Sequence, residues 1–227
     1  MDTQGNTYTL LYSIILVVVV AALLAVVSLS LQPLQNENKQ NEKRQNILSA
    51  IHVTSSAETA SKDFNQYIKE QYVVNSKGEQ SEGDAFDIDV AGEYAKPADQ
   101  RQLPVFVAEV DGAKKYILPV YGAGLWGPIW GYIALNEDKN TVFGAFFDHS
   151  GETPGLGAEI ATPHFTDQFQ GKEIFDNAQL VGLLVVKGGA NGVHEVDGIS
   201  GGTLTSKGVE SMIKSYLSYY EPFLKQR

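Results

Sequence analysis

The chain has 227 residues and a formal net charge of −10, with 17 Lys and Arg against 27 Asp and Glu. That balance argues against a nucleic-acid partner, which needs a basic face. Cysteine is absent, which excludes disulfides, Cys-ligated zinc and cysteine-bound iron–sulfur clusters and says nothing about compartment.

Residues 1–9 read as a short tail and residues 10–31 as a transmembrane helix. Leu10 to Val27 is apolar except for Tyr12 and Ser13, and no charged residue occurs from Thr3 to Asn36. As a helix this run is about 27 Å long, close to the roughly 30 Å hydrocarbon core of a bilayer. A cleaved signal peptide would want a basic start and an Ala-x-Ala-like site, whereas the chain begins Met1-Asp2-Thr3-Gln4; the segment therefore reads as an uncleaved, single-pass anchor. Lys39, Lys43 and Arg44 follow it. By the positive-inside rule they favour a cytoplasmic domain, a bias diluted by Glu37 and Glu42.

Residues 32–100 read as a polar stalk and helical region packing on the core of the domain. The stretch 32–58 is rich in Gln, Asn, Lys and Glu and suits a solvated helix. Phe64, Tyr67 and Ile68 recur at helical spacing, which predicts a short amphipathic helix over Ser61–Tyr72. Asn75–Gly83 reads as a loop.

Residues 101–227 carry the core of the domain. Pro104–Val110 and Lys115–Val120 are strand-like and joined by the turn Asp111-Gly112. Ile129–Leu135 and Thr141–Phe147 form a second pair around residues 136–140, and their apolar character on both faces predicts a central position. Thr162-Pro163 is a helix start that places Phe165 and Phe169 on one face. Leu180–Val186 reads as a buried strand. Val209, Met212, Ile213, Tyr216, Leu217 and Tyr220 define an amphipathic helix over Thr205–Tyr220. The expected class is α+β: one N-terminal transmembrane helix, then a single domain with a mostly antiparallel sheet and packed helices.

Three glycine-rich segments interrupt this scaffold: Gly124-Leu125-Trp126-Gly127; Glu152-Thr153-Pro154-Gly155-Leu156-Gly157; and Asp197 to Ser206, containing Ser200-Gly201-Gly202-Thr203-Leu204-Thr205. Each could be a plain turn. The third opens the last helix, where unpaired N–H groups and the positive dipole end favour a phosphate. Gly198-Ile199-Ser200-Gly201-Gly202 also matches the G-x-S-x-G nucleophile elbow. That fold needs its acid and its His downstream, and after Ser200 the chain has no His and no Asp, so a hydrolase is excluded. Gly155-Leu156-Gly157 lacks the later glycine of a dinucleotide fingerprint, and no Walker-type motif is present. His149 and Glu152 sit in a loop that offers no metal-ligand face.

Asp197-Gly198-Ile199-Ser200-Gly201-Gly202-Thr203-Leu204-Thr205 resembles the flavinylation motif of FMN-binding domains, D-x-x-S/T-G-A-S/T-x-S/T, with Gly202 in place of the usual Ala. Together with the other two glycine segments and the anchor, the chain resembles the C subunits of Na⁺-translocating NADH:quinone oxidoreductases. The related G subunits of Rnf-type complexes share the chemistry, and a cofactor-free membrane-anchored binding module is the alternative of a different class. The resemblance implies an FMN-binding domain in which a separate flavin transferase attaches FMN covalently to Thr203. It implies that Leu125, Trp126, Glu152, Thr153, Gly155, Leu156 and Gly157 line the isoalloxazine, Trp126 having core packing as its alternative reading. Thr205 and Ser206, at the start of the last helix, read by position as caps of its free N–H groups; by the resemblance, Lys187 would lie near the flavin, and Ser200, Gly201, Gly202, Leu204 and Thr205 around the attachment point. It further implies partnership with the other subunits of the complex, a relay role without direct oxidation of NADH, and a location in the bacterial inner membrane with the soluble domain periplasmic, against the weak charge bias.

Overall fold

The computed structural model describes residues 5–226, so residues 1–4 of the expected tail lie outside the described residues. The chain divides into two units, Met1–Lys43 and Arg44–Arg227. Helix α1 spans Asn6–Ser49, so residues 6–9 are helical rather than tail. By length and composition α1 can cross a membrane. Its large apolar side chains from Leu10 to Leu34 are exposed.

The second unit is built on a six-stranded sheet. Its strands are β1 (Ile68–Val74), β2 (Gln80–Ser81), β3 (Leu103–Val110), β4 (Ala113–Ala123), β5 (Pro128–Leu135) and β6 (Val142–His149). Their order is β2-β1-β3-β4-β5-β6, and every pairing is antiparallel. Period-two alternation sorts the side chains onto two buried faces. Val105, Val107, Leu118, Val120, Ile133 and Leu135 belong to one apolar cluster, while Phe106, Ala108, Ile117, Tyr132 and Ala134 belong to the other. β5 is central, as its apolar faces predict. β6 is an edge strand: its other side meets the segment 171–173 through Val142 N–H to the Lys172 carbonyl and Gly171 N–H to the Val142 carbonyl.

Helix α5 (Thr203–Leu224) covers the first face. Val209, Met212, Ile213, Tyr216, Leu217 and Tyr220 are all buried there, each contributing on the order of 1.5–3 kcal/mol of apolar burial. Gly208 lets the helix press against β4, since a Cβ there would collide with the Ala123 carbonyl. This contact brings the start of α5 beside the turn that leaves β4. The second face is covered by Ile47, Leu48, Ala50 and Ile51, all fully buried, and by Phe64 of α2 (Ala60–Tyr67). The end of the expected stalk is thus core.

Two further expectations are corrected. The predicted helix over Ser61–Tyr72 stops at Tyr67, and Tyr72 lies in β1, where residues 68–74 pair with β3. Leu180–Val186 is not one strand. After α3 (Val90–Tyr94) and α4 (Pro163–Thr166) come β7 (Phe175–Asp176), β8 (Gln179–Leu180), β9 (Leu184–Val186) and β10 (Glu195–Asp197). Gly182, at φ 73°, bends the chain between β8 and β9, which pairs parallel with β10. Phe165 and Phe169 do pack together, with ring centroids 5.3 Å apart.

Candidate functional site

Thr203 is the first residue of α5 and is exposed; Gly202 occupies the cap position and supplies no side-chain cap. Ser206 N–H reaches the Gly202 carbonyl at 2.9 Å. The N–H groups of Thr203, Leu204 and Thr205 have no acceptor among the described residues, which leaves the positive end of the helix dipole open beside the Thr203 hydroxyl.

The three glycine segments converge on this helix start. Leu125, Trp126, Glu152, Thr153, Leu156 and Gly157 line a hollow of about 140 Å³, together with Gly201, Gly202, Thr203, Leu204 and Thr205. Trp126 is 68% exposed and Leu204 64%; Leu125 and Leu156 are also exposed. The core-packing reading of Trp126 therefore fails, and four large apolar side chains stand uncovered around Thr203.

A second groove, of about 280 Å³, adjoins the first. It shares Gly201 and Thr203 with the first, and is lined by Lys187, Ser200 and Lys207 over Val185 and Ile199. Lys187 is exposed and follows β9. Lys207 pairs with Glu210 at 2.8 Å. Asp197 of the motif serves the loop itself, accepting from Ala190 N–H at 2.8 Å.

Gly155 lines neither hollow. It sits at φ 75°, where a side chain is strained, and its N–H donates to Glu159 at 3.1 Å.

One side chain ties the segments together. Glu152 is 5% exposed. Its Oε1 accepts from Trp126 N–H at 2.8 Å and its Oε2 from the Thr205 hydroxyl at 2.6 Å. Thr205 is accordingly not the helix cap expected from its position. Ser206 is no cap either: its hydroxyl oxygen accepts from Ile199 N–H at 3.0 Å, seven residues back. The Glu152 N–H donates to His149 Nδ1 at 3.2 Å, a loop contact of His149 that no sequence pattern announces. A Cβ on Gly124 or on Gly157 would collide with the Glu152 carboxylate, so both glycines are needed for its seat. No cluster of metal-ligating side chains occurs among the described residues.

Residues 124–218, which include the helix start and the apolar rim around Thr203, match the family model of the FMN-binding domain. The chain is 33% identical over 231 residues to the C subunit of the Na⁺-translocating NADH-quinone reductase of Haemophilus ducreyi, covering 94% of this chain and 89% of that relative. The crystal structure of the corresponding C subunit from Parabacteroides distasonis is 50% identical and superposes with a TM-score of 0.82, covering 87% of this chain and 98% of the other. That of NqrC from Shewanella oneidensis is 27% identical with a TM-score of 0.72, covering 83% and 97%. The chain belongs to the family of C subunits of the Na⁺-translocating NADH-quinone reductases.

Proposed function

We propose that this chain is a membrane-anchored flavoprotein subunit of a Na⁺-translocating NADH:quinone oxidoreductase, with one FMN bound through its phosphate to Thr203, and that it relays electrons inside the complex. The observation that carries the reading is the placement of Thr203: an exposed hydroxyl at an open helix start, ringed by exposed Leu125, Trp126, Leu156 and Leu204. FMN joins a flat, largely apolar ring system to an anionic phosphate, and the residues present match both halves. The apolar rim suits the ring. The N–H groups of the first turn, with Lys187 and Lys207 in the adjoining groove, suit the phosphate.

Attachment follows from the same residues. The Thr203 oxygen forms a bond to the FMN phosphorus of FAD while the bond to the bridging pyrophosphate oxygen breaks. AMP leaves, and the hydroxyl proton passes to the flavin transferase that presents the FAD. The product keeps a single negative charge at the helix start, where the dipole favours it. Bound FMN supplies the redox chemistry; the chain's own groups hold it, shape its surroundings and keep it from diffusing away. The helix α1 serves as a single-pass anchor in the bacterial inner membrane with the domain in the periplasm, since long domains translocate despite a small charge bias.

Co-expression with a flavin transferase tests the reading directly. A denaturing gel viewed under ultraviolet light should show a fluorescent band at the mass of this chain; a dark band would contradict it.

A further inference from the structure

We infer that Glu152 is a positioning residue for flavin attachment: it latches the Trp126 turn to the first turn of α5 and so preassembles the rim around Thr203. This rests on the flavoprotein reading and adds to it, because it moves Glu152 from the lining of the ring site to the support behind it.

Both oxygens of the carboxylate are engaged within the protein. One accepts the Trp126 N–H and the other the Thr205 hydroxyl, from positions 26 and 53 residues away in sequence. The side chain is almost fully buried, and the glycines at 124 and 157 leave room for it and for nothing more. The Trp126 turn closes on itself through Gly124 N–H and the Gly127 carbonyl at 2.8 Å; its root packs on Gly208 of α5, but at its tip the exposed Trp126 ring has little packing to hold it against the helix start. Glu152 provides the tie. Thr205 lies two residues beyond Thr203 in the same helical turn, so the latch fixes the attachment hydroxyl relative to Trp126 and Leu125. A buried carboxylate that loses one partner is left partly unsatisfied in a dry environment, which makes the arrangement close as a unit.

The test uses the full chain in detergent with FAD and a flavin transferase. It reads the initial rate of flavin attachment, the absorption spectrum of the loaded protein and the thermal midpoint of the unloaded one. Glu152→Gln keeps both contacts, its carbonyl accepting from Trp126 N–H and its amide donating to the Thr205 oxygen, so it should load within about threefold of the parent. Thr205→Ser should do the same. Glu152→Ala and Thr205→Val break the latch and should load at least about tenfold more slowly, with a shifted flavin spectrum and a folded apo-protein. Thr205→Val changes only one oxygen for a methyl group, and it decides the matter if Glu152→Ala fails to fold. Folded Thr205→Val or Glu152→Ala loading at the parental rate with the parental spectrum overturns the latch alone. A parent that takes up no flavin overturns the flavoprotein reading and the latch with it.

Discussion

The Thr205 hydroxyl donates to the Glu152 carboxylate at 2.6 Å, joining the first turn of α5 to a loop 53 residues earlier. Both groups are buried, and a hydrogen bond to a charged acceptor in such a place is worth about 1.5–3 kcal/mol. The glycine pattern of the site follows from this bond, since the chain must leave space for the carboxylate on two sides.

Gly157→Ala and Gly155→Ala should therefore behave differently. A Cβ at 157 drives into Glu152 and Thr205, an overpacking cost of about 1–3 kcal/mol. A Cβ at 155 meets nothing within 4 Å, and the only cost is the positive φ, about 1 kcal/mol. Urea unfolding of the two variants should rank them in that order, and equal losses would contradict the seat described for the carboxylate.

Alkaline pH should destabilise the domain. Burial raises the Tyr72 hydroxyl to about 12 and pushes the Tyr216 and Tyr220 hydroxyls up as well. In the unfolded chain these hydroxyls ionise near pH 10, so from there upward the folded state binds more protons than the unfolded one and stability changes with pH. The contribution of a raised pKa is fully present below about pH 10 and is lost as pH rises through the folded value. Tyr220→Phe removes the donor to the Pro104 carbonyl at 2.7 Å and should cost about 1 kcal/mol at neutral pH. It should also flatten the decline between about pH 10 and 12. Thermal melts across that range measure both effects.

The flavinylated chain should be reduced by dithionite and react negligibly with NADH. It has no dinucleotide fingerprint and no cysteine, so the flavin is the only redox group the reading gives it. Stopped-flow bleaching by NADH of the purified chain alone would contradict the relay role.

Alkaline phosphatase fused after Arg227 should be active in intact bacteria, because that enzyme matures outside the cytoplasm. Activity from a cytoplasmic reporter at the same junction would reverse the proposed orientation and restore Lys39, Lys43 and Arg44 as the orienting charges.

Much of this architecture is legible in the residues. The apolar stripe from Val209 to Tyr220 has a strong helical period, and the four strands of the hairpin pairs stand out as apolar runs around turn signals; each lies within a few residues of its expected place. Local pattern misleads where tertiary pairing decides. Tyr72 sits at the end of a helical stripe, yet β3 offers its backbone a ladder and draws it into β1. Ile47 to Ile51 hide in a polar stretch because a few apolar residues suffice to close one face of the sheet. Of the proposed site, the motif singles out Thr203, and the glycine segments single out most of the residues that the fold gathers around it. The Glu152 latch is invisible to any local rule, since Thr205 has every mark of a helix cap and its partner lies far away in sequence. The surroundings of Gly202, which stands where the motif usually has Ala, are likewise visible only in space. A Cβ there would come within 3.0 Å of the Ile199 side chain and 3.1 Å of the Leu156 carbonyl.

Everything proposed for the site turns on the attachment residue, and peptide mass mapping of the chain co-expressed with a flavin transferase tests it most directly. Thr203→Val keeps the shape of the side chain and removes the hydroxyl at the open helix start. FMN should be found on the peptide at Thr203 in the parent and be absent from Thr203→Val, with the variant folded. Flavin found on Ser200 or Thr205 in the parent, or retained by Thr203→Val, would contradict the assignment.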